Sequence, residues 1–177
     1  MSMPEGSIRL RPVQQDDIPL LDRWRSDRDS TDESGAFLAM HRRRTRTLER
    51  WQHNGLLAED EGMVLICRDD EPVGVIQWHQ VAYGANQGSQ ALNIGIMITA
   101  AARGQGIGSQ AQRLIAEYLF EQTLAHRIEA STDVTNIAEQ RALERAGFTR
   151  EGVLRGAQFR LGQWHDMVSY SKLRTDV

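Results

Sequence analysis

The stretch ALNIGIMITAAARGQGIGSQAQRLIAEYL, from Ala91 to Leu119, changes period partway along. In its first part Leu92, Ile94, Ile96 and Ile98 recur at every second position, the alternation of a strand with one buried face. In its last part Ala111, Leu114, Ile115, Tyr118 and Leu119 recur at helical spacing, so one face of a helix needs cover. Between them glycines stand at 104, 106 and 108. A strand that runs through a glycine-rich loop straight into an amphipathic helix restricts the chain to folds in which helices pack on a sheet.

The rest of the chain extends that pattern. SIRLRPV reads as a strand, and QQDDIPLLDRWRSD as a helix with Asp16 or Asp17 as N-cap, Pro19 in the first turn and Leu20, Leu21 and Trp24 on one face. A second helix is expected from Phe37 to His53, ended by Gly55. MVLICRD and PVGVIQWHQVAY, joined by DDEP, read as an antiparallel hairpin ahead of the strand quoted first. AHRIEASTDVT is a further strand, NIAEQRALERAGF a helix closed by Gly147 with Phe148 as its apolar partner, and the remainder a hairpin around LGQ. The expected fold is α/β: a mixed, mainly antiparallel sheet of about seven strands flanked by about four helices. With 177 residues, 40% of them hydrophobic, and no break in composition, residues 1–177 are expected to form one domain.

A formal net charge of -3 gives no reason to expect a nucleic-acid or membrane partner. No signal core or bilayer-length apolar run is present, so a soluble, cytoplasmic protein is expected. The single cysteine, Cys67, falls mid-strand and reads as a buried structural thiol. Histidines at 41, 53, 79, 126 and 165 lack ligand spacing, and no metal is expected. The one basic cluster, Arg42, Arg43, Arg44 and Arg46, reads either as a solvated helix face or as an anion-binding one.

Gly104, Gly106 and Gly108 allow successive backbone N–H groups to turn toward an anion, and the following helix adds its positive dipole end. A phosphate or pyrophosphate is the natural guest. No Lys follows as a nucleoside triphosphatase loop requires, and the glycine spacing is wrong for a dinucleotide fold. A tight strand-to-helix turn is the plain alternative.

With Arg103, Gly106 and Gly108 in this order, the chain resembles the GNAT N-acetyltransferases, most closely their RimJ/RimL-like branch, whose R/Q-x-x-G-x-G/A signature holds the pyrophosphate of acetyl-CoA. IRLRPVQQDDIPLLDRW, EPVGVIQW, NIAEQRALERAGF and GQWHDMVSYSKL are similar to other family segments in the family's order. The resemblance implies a splay between the fourth and fifth strands and acetyl-CoA as co-substrate. It also implies pantetheine contacts from Ile96, Met97 and Ile98, and pyrophosphate contacts from Arg103, Gly104, Gln105, Gly106, Ile107, Gly108 and Ser109. Asn136 matches a pantetheine-binding asparagine, but Asn136 and Glu139 also have the spacing of a capping box.

The family's acid and base do not carry over. Asn93 stands where RimJ/RimL-like strands have Glu, Ser131 where RimI-like members have Glu, and Leu143 where the same members have a proton-donating Tyr. Asn93, Ser131 and Asp166 are kept as catalytic candidates, with Glu129, Asp133, His165, Asp32 and Glu33 as further possible bases. The expected reaction is acetyl transfer from acetyl-CoA to a primary amine, on a protein N-terminus or on a small molecule such as a metabolite, polyamine or antibiotic, by direct attack. The alternative is an acyl-CoA-binding module that has lost catalysis. The sequence leaves oligomeric state open, a homodimer being one option.

Overall fold

The expected periods resolve into strands and helices in a computed structural model that describes residues 6–26 and 45–176. The strands are β1 (Ile8–Pro12), β2 (Glu61–Arg68), β3 (Glu71–Ala82), β4 (Gln90–Ile98), β5 (Arg127–Asp133), β6 (Thr149–Arg160) and β7 (Gln163–Leu173). The α-helices are α1 (Ile18–Ser26), α2 (Thr45–Asn54), α3 (Ile107–Gln122) and α4 (Ile137–Arg145). The sheet runs β1-β2-β3-β4-β5-β7-β6, and every neighbouring pair is antiparallel except β4 and β5. The mixed, mainly antiparallel sheet expected from the sequence is the observed one.

Short connections set the register. Asp69 and Asp70 take left-handed φ of 48° and 71° in the β2–β3 hairpin, a two-residue turn whose twist suits antiparallel strands and which aspartate tolerates. Arg11 clamps Asp17 with two hydrogen bonds of 2.6 and 2.8 Å, and Asp17 also accepts the Gln14 backbone N–H at 2.8 Å. That clamp, chiefly the Arg11 hydrogen bonds, holds the Asp17 carboxyl below its ordinary pKa. A 3-10 turn over Gln15–Asp17 leads into α1, and its N-cap is Gln14, with Asp17 at the third position of a capping box; the expectation of Asp16 or Asp17 as N-cap is corrected. At the end of α4, Phe148 N–H reaches Leu143 O and Gly147 N–H reaches Glu144 O, the Schellman pattern that GF signals in sequence.

Each sheet face carries its own core. Ile66, Ile76, Leu92, Ile94, Ile128 and Ala130 pack with Ile107, Ala111, Ile115 and Leu119 of α3 and Leu143 of α4. On the opposite face Val13, Met63, Leu65 and Cys67 pack with Leu21 and Trp24 of α1, and Trp51 of α2 lies against them. Burial raises the Cys67 thiol pKa, as fits a structural cysteine. Tyr118, expected on the buried stripe of α3, is instead 38% exposed and tilted toward Trp78, while Gln112 and Phe120 are buried on that helix. The first part of the helix expected from Phe37, with Arg42, Arg43 and Arg44, lies outside the described residues, as do Asp32, Glu33 and the Arg46 side chain.

Candidate functional site

The one parallel pairing in the sheet is short. β4 and β5 pair only through Ala91 with Arg127, Leu92 with Ile128, and Asn93 with Glu129. Beyond that point β4 is paired with β3 alone as far as Ile98, and β5 with β7 alone as far as Asp133. Ile96, Met97 and Ile98 are half-buried on this unshared part of β4. β3 approaches it very closely, because a Cβ at Gly74 would stand 2.4 Å from the Met97 carbonyl oxygen.

Directly after this edge comes the loop. Gly104 and Gly106 have φ of 73° and 76°, in the region that penalises side chains, and a Cβ at either would meet nothing within 4 Å. Gly106 is the N-cap of α3, and no side chain caps that helix end. Its first N–H groups carry the positive dipole end without a side-chain cap. Neighbouring side chains are spent on shaping the loop. Arg103 Nε donates to Ile98 O at 3.1 Å, Gln105 Nε2 to Ala101 O at 2.9 Å, and Ser109 Oγ to Gly106 O at 2.9 Å. The Gln105 side-chain oxygen in turn accepts from Arg68 at the end of β2. Uncapped backbone N–H groups at a helix N-terminus beside left-handed glycines are a donor set suited to a phosphate.

Asn136 opens α4, and its side-chain oxygen accepts the Glu139 backbone N–H at 3.2 Å, so the capping role is realised. The reciprocal half of the expected capping box is not formed. The Glu139 carboxylate turns toward α3 and accepts from the Gln112 amide, while the Asn136 backbone N–H goes to Asp133 O. Burial lifts the Glu139 pKa to about 7, against the opposing hydrogen bond from Gln112.

The other face is polar near the point where the strands part. Leu92, Ile94, Ile128 and Ala130 occupy the core under α3 and α4, so Asn93, Glu129 and Ser131 are on the opposite face by strand alternation. Asn93 Nδ2 donates to Glu129 at 3.5 Å, Tyr83 Oη at 2.7 Å and Arg127 Nε at 3.0 Å. The hydrogen bond to Glu129 raises the Tyr83 pKa. Arg127 also grips Glu151 with bonds of 2.7 and 2.5 Å and holds that carboxyl below its usual range. Ser131 is exposed two residues beyond Glu129. Among the described residues no hydrogen bond or ion pair joins Asp166 to Asn93 or Ser131; its carboxylate accepts the Gly156 N–H at 2.7 Å across the β6–β7 pairing. Asp133 is 4% exposed, ion-paired with buried Arg160 and 3.3 Å from His165 Nδ1, and it also accepts both the N–H and the hydroxyl of Thr135. These partners give Asp133 and His165 a structural part in the sheet.

Tyr83, Arg127 and Gln112 were absent from the sequence reading. Gln112 carried a visible signal, a polar residue one position after Ala111 and three before Ile115 on an apolar stripe. Arg127 and Glu129, two apart on one strand, carried a weaker one.

Fold and loop together define an α/β domain whose sheet parts between β4 and β5 ahead of a loop suited to a phosphate. The chain belongs to the GNAT acetyltransferase family: residues 7–149 match the family model described as the acetyltransferase (GNAT) domain. It is 35% identical over 103 residues to the Probable N-acetyltransferase YjcK of Bacillus subtilis (strain 168), a match covering 58% of this chain and 55% of that protein. The matched region thus spans about half the length of that curated relative. Among solved structures it is similar to spermidine N-acetyltransferase from Vibrio cholerae in complex with CoA and spermine, with a TM-score of 0.79 and 18% identity over 96% of each chain. It is also similar to RimL, the ribosomal L7/L12 alpha-N-protein acetyltransferase in complex with coenzyme A, with a TM-score of 0.72 and 23% identity over 94% of this chain and 93% of that one. At these identities the two structures bear on the fold.

Proposed function

We propose that the whole chain works as one N-acetyltransferase domain that moves the acetyl group of acetyl-CoA to a primary amine by direct attack. The observation that carries this reading is the junction of two features. β4 and β5 part after Asn93 and Glu129, and the freed end of β4 leads, through a short turn at Ala100–Ala102, into a loop with two left-handed glycines at a helix N-terminus that no side chain caps. In this reading Gly104, Gln105, Gly106, Ile107, Gly108 and Ser109 surround the pyrophosphate, with Arg103 bracing the loop through Ile98. Backbone groups of Ile96, Met97 and Ile98 receive the pantetheine, and a backbone N–H there polarises the thioester carbonyl. Asn136 keeps lone-pair and N–H capacity for the pantetheine beside its cap bond.

The amine approaches from the face bearing Asn93, Glu129 and Ser131. Glu129 is already met by three donors, and Asn93 is no base, so the acceptor arrives as the free amine and attacks the carbonyl carbon. The C–N bond forms, the C–S bond breaks, the nitrogen gives up one proton, and the thiolate takes up one, directly or through solvent, as coenzyme A leaves. Holding both reactants in one cleft supplies much of the rate. No metal has a part in this scheme. Among the described residues no helix is long and apolar enough to cross a membrane, and a cytoplasmic enzyme meeting soluble amines fits this reading.

The test is incubation of the pure protein with acetyl-CoA and a panel of amines, an N-terminal peptide, a polyamine and an aminoglycoside among them, following free thiol. Turnover on any member supports the transferase. Tight binding of acetyl-CoA without turnover across the panel selects the degenerate binding module instead.

A further inference from the structure

Gln112 and Glu139 sit where α3 and α4 meet. Gln112 is 1% exposed and lies in the second turn of α3, just after the loop. Its amide nitrogen donates to Glu139, yet its amide oxygen is buried with no partner among the described residues. An unpartnered buried acceptor is costly, and the group beside it able to satisfy it is a carboxylic acid. A neutral Glu139 would donate its O–H to Gln112 while accepting the Gln112 N–H, closing a reciprocal pair; an ionised Glu139 leaves the oxygen orphaned. The pair joins the two elements that the proposed function assigns to the coenzyme. Gly108 in the first turn of α3 faces Ala142 of α4, with a Cβ there 3.9 Å from the Ala142 Cβ. The backbone of Glu139 itself holds the Asn136 side chain.

We propose that Glu139 is a proton-linked positioning residue for the coenzyme: neutral, it pairs reciprocally with Gln112, fixes the pyrophosphate loop relative to Asn136, and is favoured when the anionic coenzyme binds. This rests on the reading of the loop as the pyrophosphate site. The proton comes from solvent, and no covalent change is involved. The pKa of about 7 given to Glu139 by burial puts the linkage near neutrality. Charged neighbours do not set it. Arg113 and Glu117 of α3 and Arg141, Glu144 and Arg145 of α4 are exposed, and Asp133 at the end of β5 is engaged by Arg160. The Lys172 ammonium of β7 is spent on Ala146 O at 3.1 Å.

The experiment is calorimetric titration with dephospho-coenzyme A, which keeps the pyrophosphate and lacks the terminal phosphate that itself titrates near pH 6. Two buffers of different ionisation enthalpy report protons taken up. The wild-type protein should take up a fraction of a proton near pH 7 and lose about fivefold in affinity between about pH 6 and pH 8. Glu139→Gln, which keeps an acceptor for the Gln112 amide, should bind within about twofold of the wild-type value at pH 6, with no uptake and a flat profile. Absence of uptake in the wild-type protein, or equal uptake in Glu139→Gln, overturns the proposal. Should Glu139→Gln not fold, the wild-type titration alone still decides. Gly106→Val separates the two readings: if that variant binds normally while Glu139→Gln removes the uptake, the loop assignment falls and the proton linkage stands.

Discussion

The two sides of the β4–β5 divergence are made of different material. The side proposed for the coenzyme is backbone: a strand edge from Ile96 to Ile98, two left-handed glycines and an uncapped helix end, with side chains used as braces behind them. The side proposed for the acceptor is side chains held in pairs: Asn93, Tyr83 and Arg127 on Glu129, Arg127 on Glu151, and Arg160 and His165 on Asp133. The proposed function accounts for the difference through its two ligands. A pyrophosphate on a common coenzyme can be held by N–H groups that any sequence supplies if the chain bends correctly. An acceptor must be recognised by chemistry that differs from one enzyme to another, and that chemistry has to come from side chains.

Breaking the acceptor side should cost stability before it costs coenzyme. Asp133→Leu leaves the buried Arg160 guanidinium without its carboxylate, and a loss of about 3–5 kcal/mol is expected in denaturant unfolding. Coenzyme affinity in whatever protein remains folded should be unchanged. A loss of affinity as large as the loss of stability would mean that the two sides are not separate structures.

Breaking the coenzyme side should do the reverse. Gly106→Val puts a branched side chain into the space in front of the α3 N-terminus, and coenzyme affinity should fall by about 100-fold or more in calorimetry. The left-handed φ should cost the fold only about 1–2 kcal/mol, since the Cβ meets nothing in the empty protein. Normal affinity in a folded Gly106→Val protein would remove the loop from the site.

This contrast also explains what could be read in advance. Arg103 to Ser109 is one contiguous segment with a left-handed turn requirement at Gly104 and Gly106, so motif and geometry coincide there. The GF pair after α4 and the alternation of β4 are local in the same way. The pairs are not local: Tyr83 and Glu129 are 46 residues apart, and Gln112 and Glu139 are 27 apart. Nothing in either segment names its partner until strand order and helix packing are known. Asn136 and Glu139 show the limit most clearly. Their N-x-x-E spacing fixed the backbone half of a capping box, while the Glu side chain was drawn off by a helix that the spacing does not see.

A smaller effect sharpens the boundary between the sides. Glu139 has a folded-state pKa raised to about 7 from 4.5, so its contribution to stability is complete below about pH 4.5 and is lost as pH rises through about 7. In Glu139→Gln that dependence should be absent, and the variant should gain about 1–3 kcal/mol relative to wild type on going from pH 5 to pH 8. Parallel stability curves for the two proteins across that range would show that Glu139 is ionised in the fold throughout.

The claim that no side chain serves as base meets its most direct test in the pH dependence of kcat/KM for two acceptors of different basicity, measured with wild type and with Glu129→Gln. If the amine attacks as its own free base, the inflection should follow the acceptor, near about pH 8 for a peptide α-amine and toward about pH 10 for a lysine-like amine. Glu129→Gln should change the rate modestly and leave both inflections in place. An inflection shared by both acceptors, removed together with about 100-fold or more of the rate in Glu129→Gln, would make Glu129 the general base and contradict direct attack by the free amine.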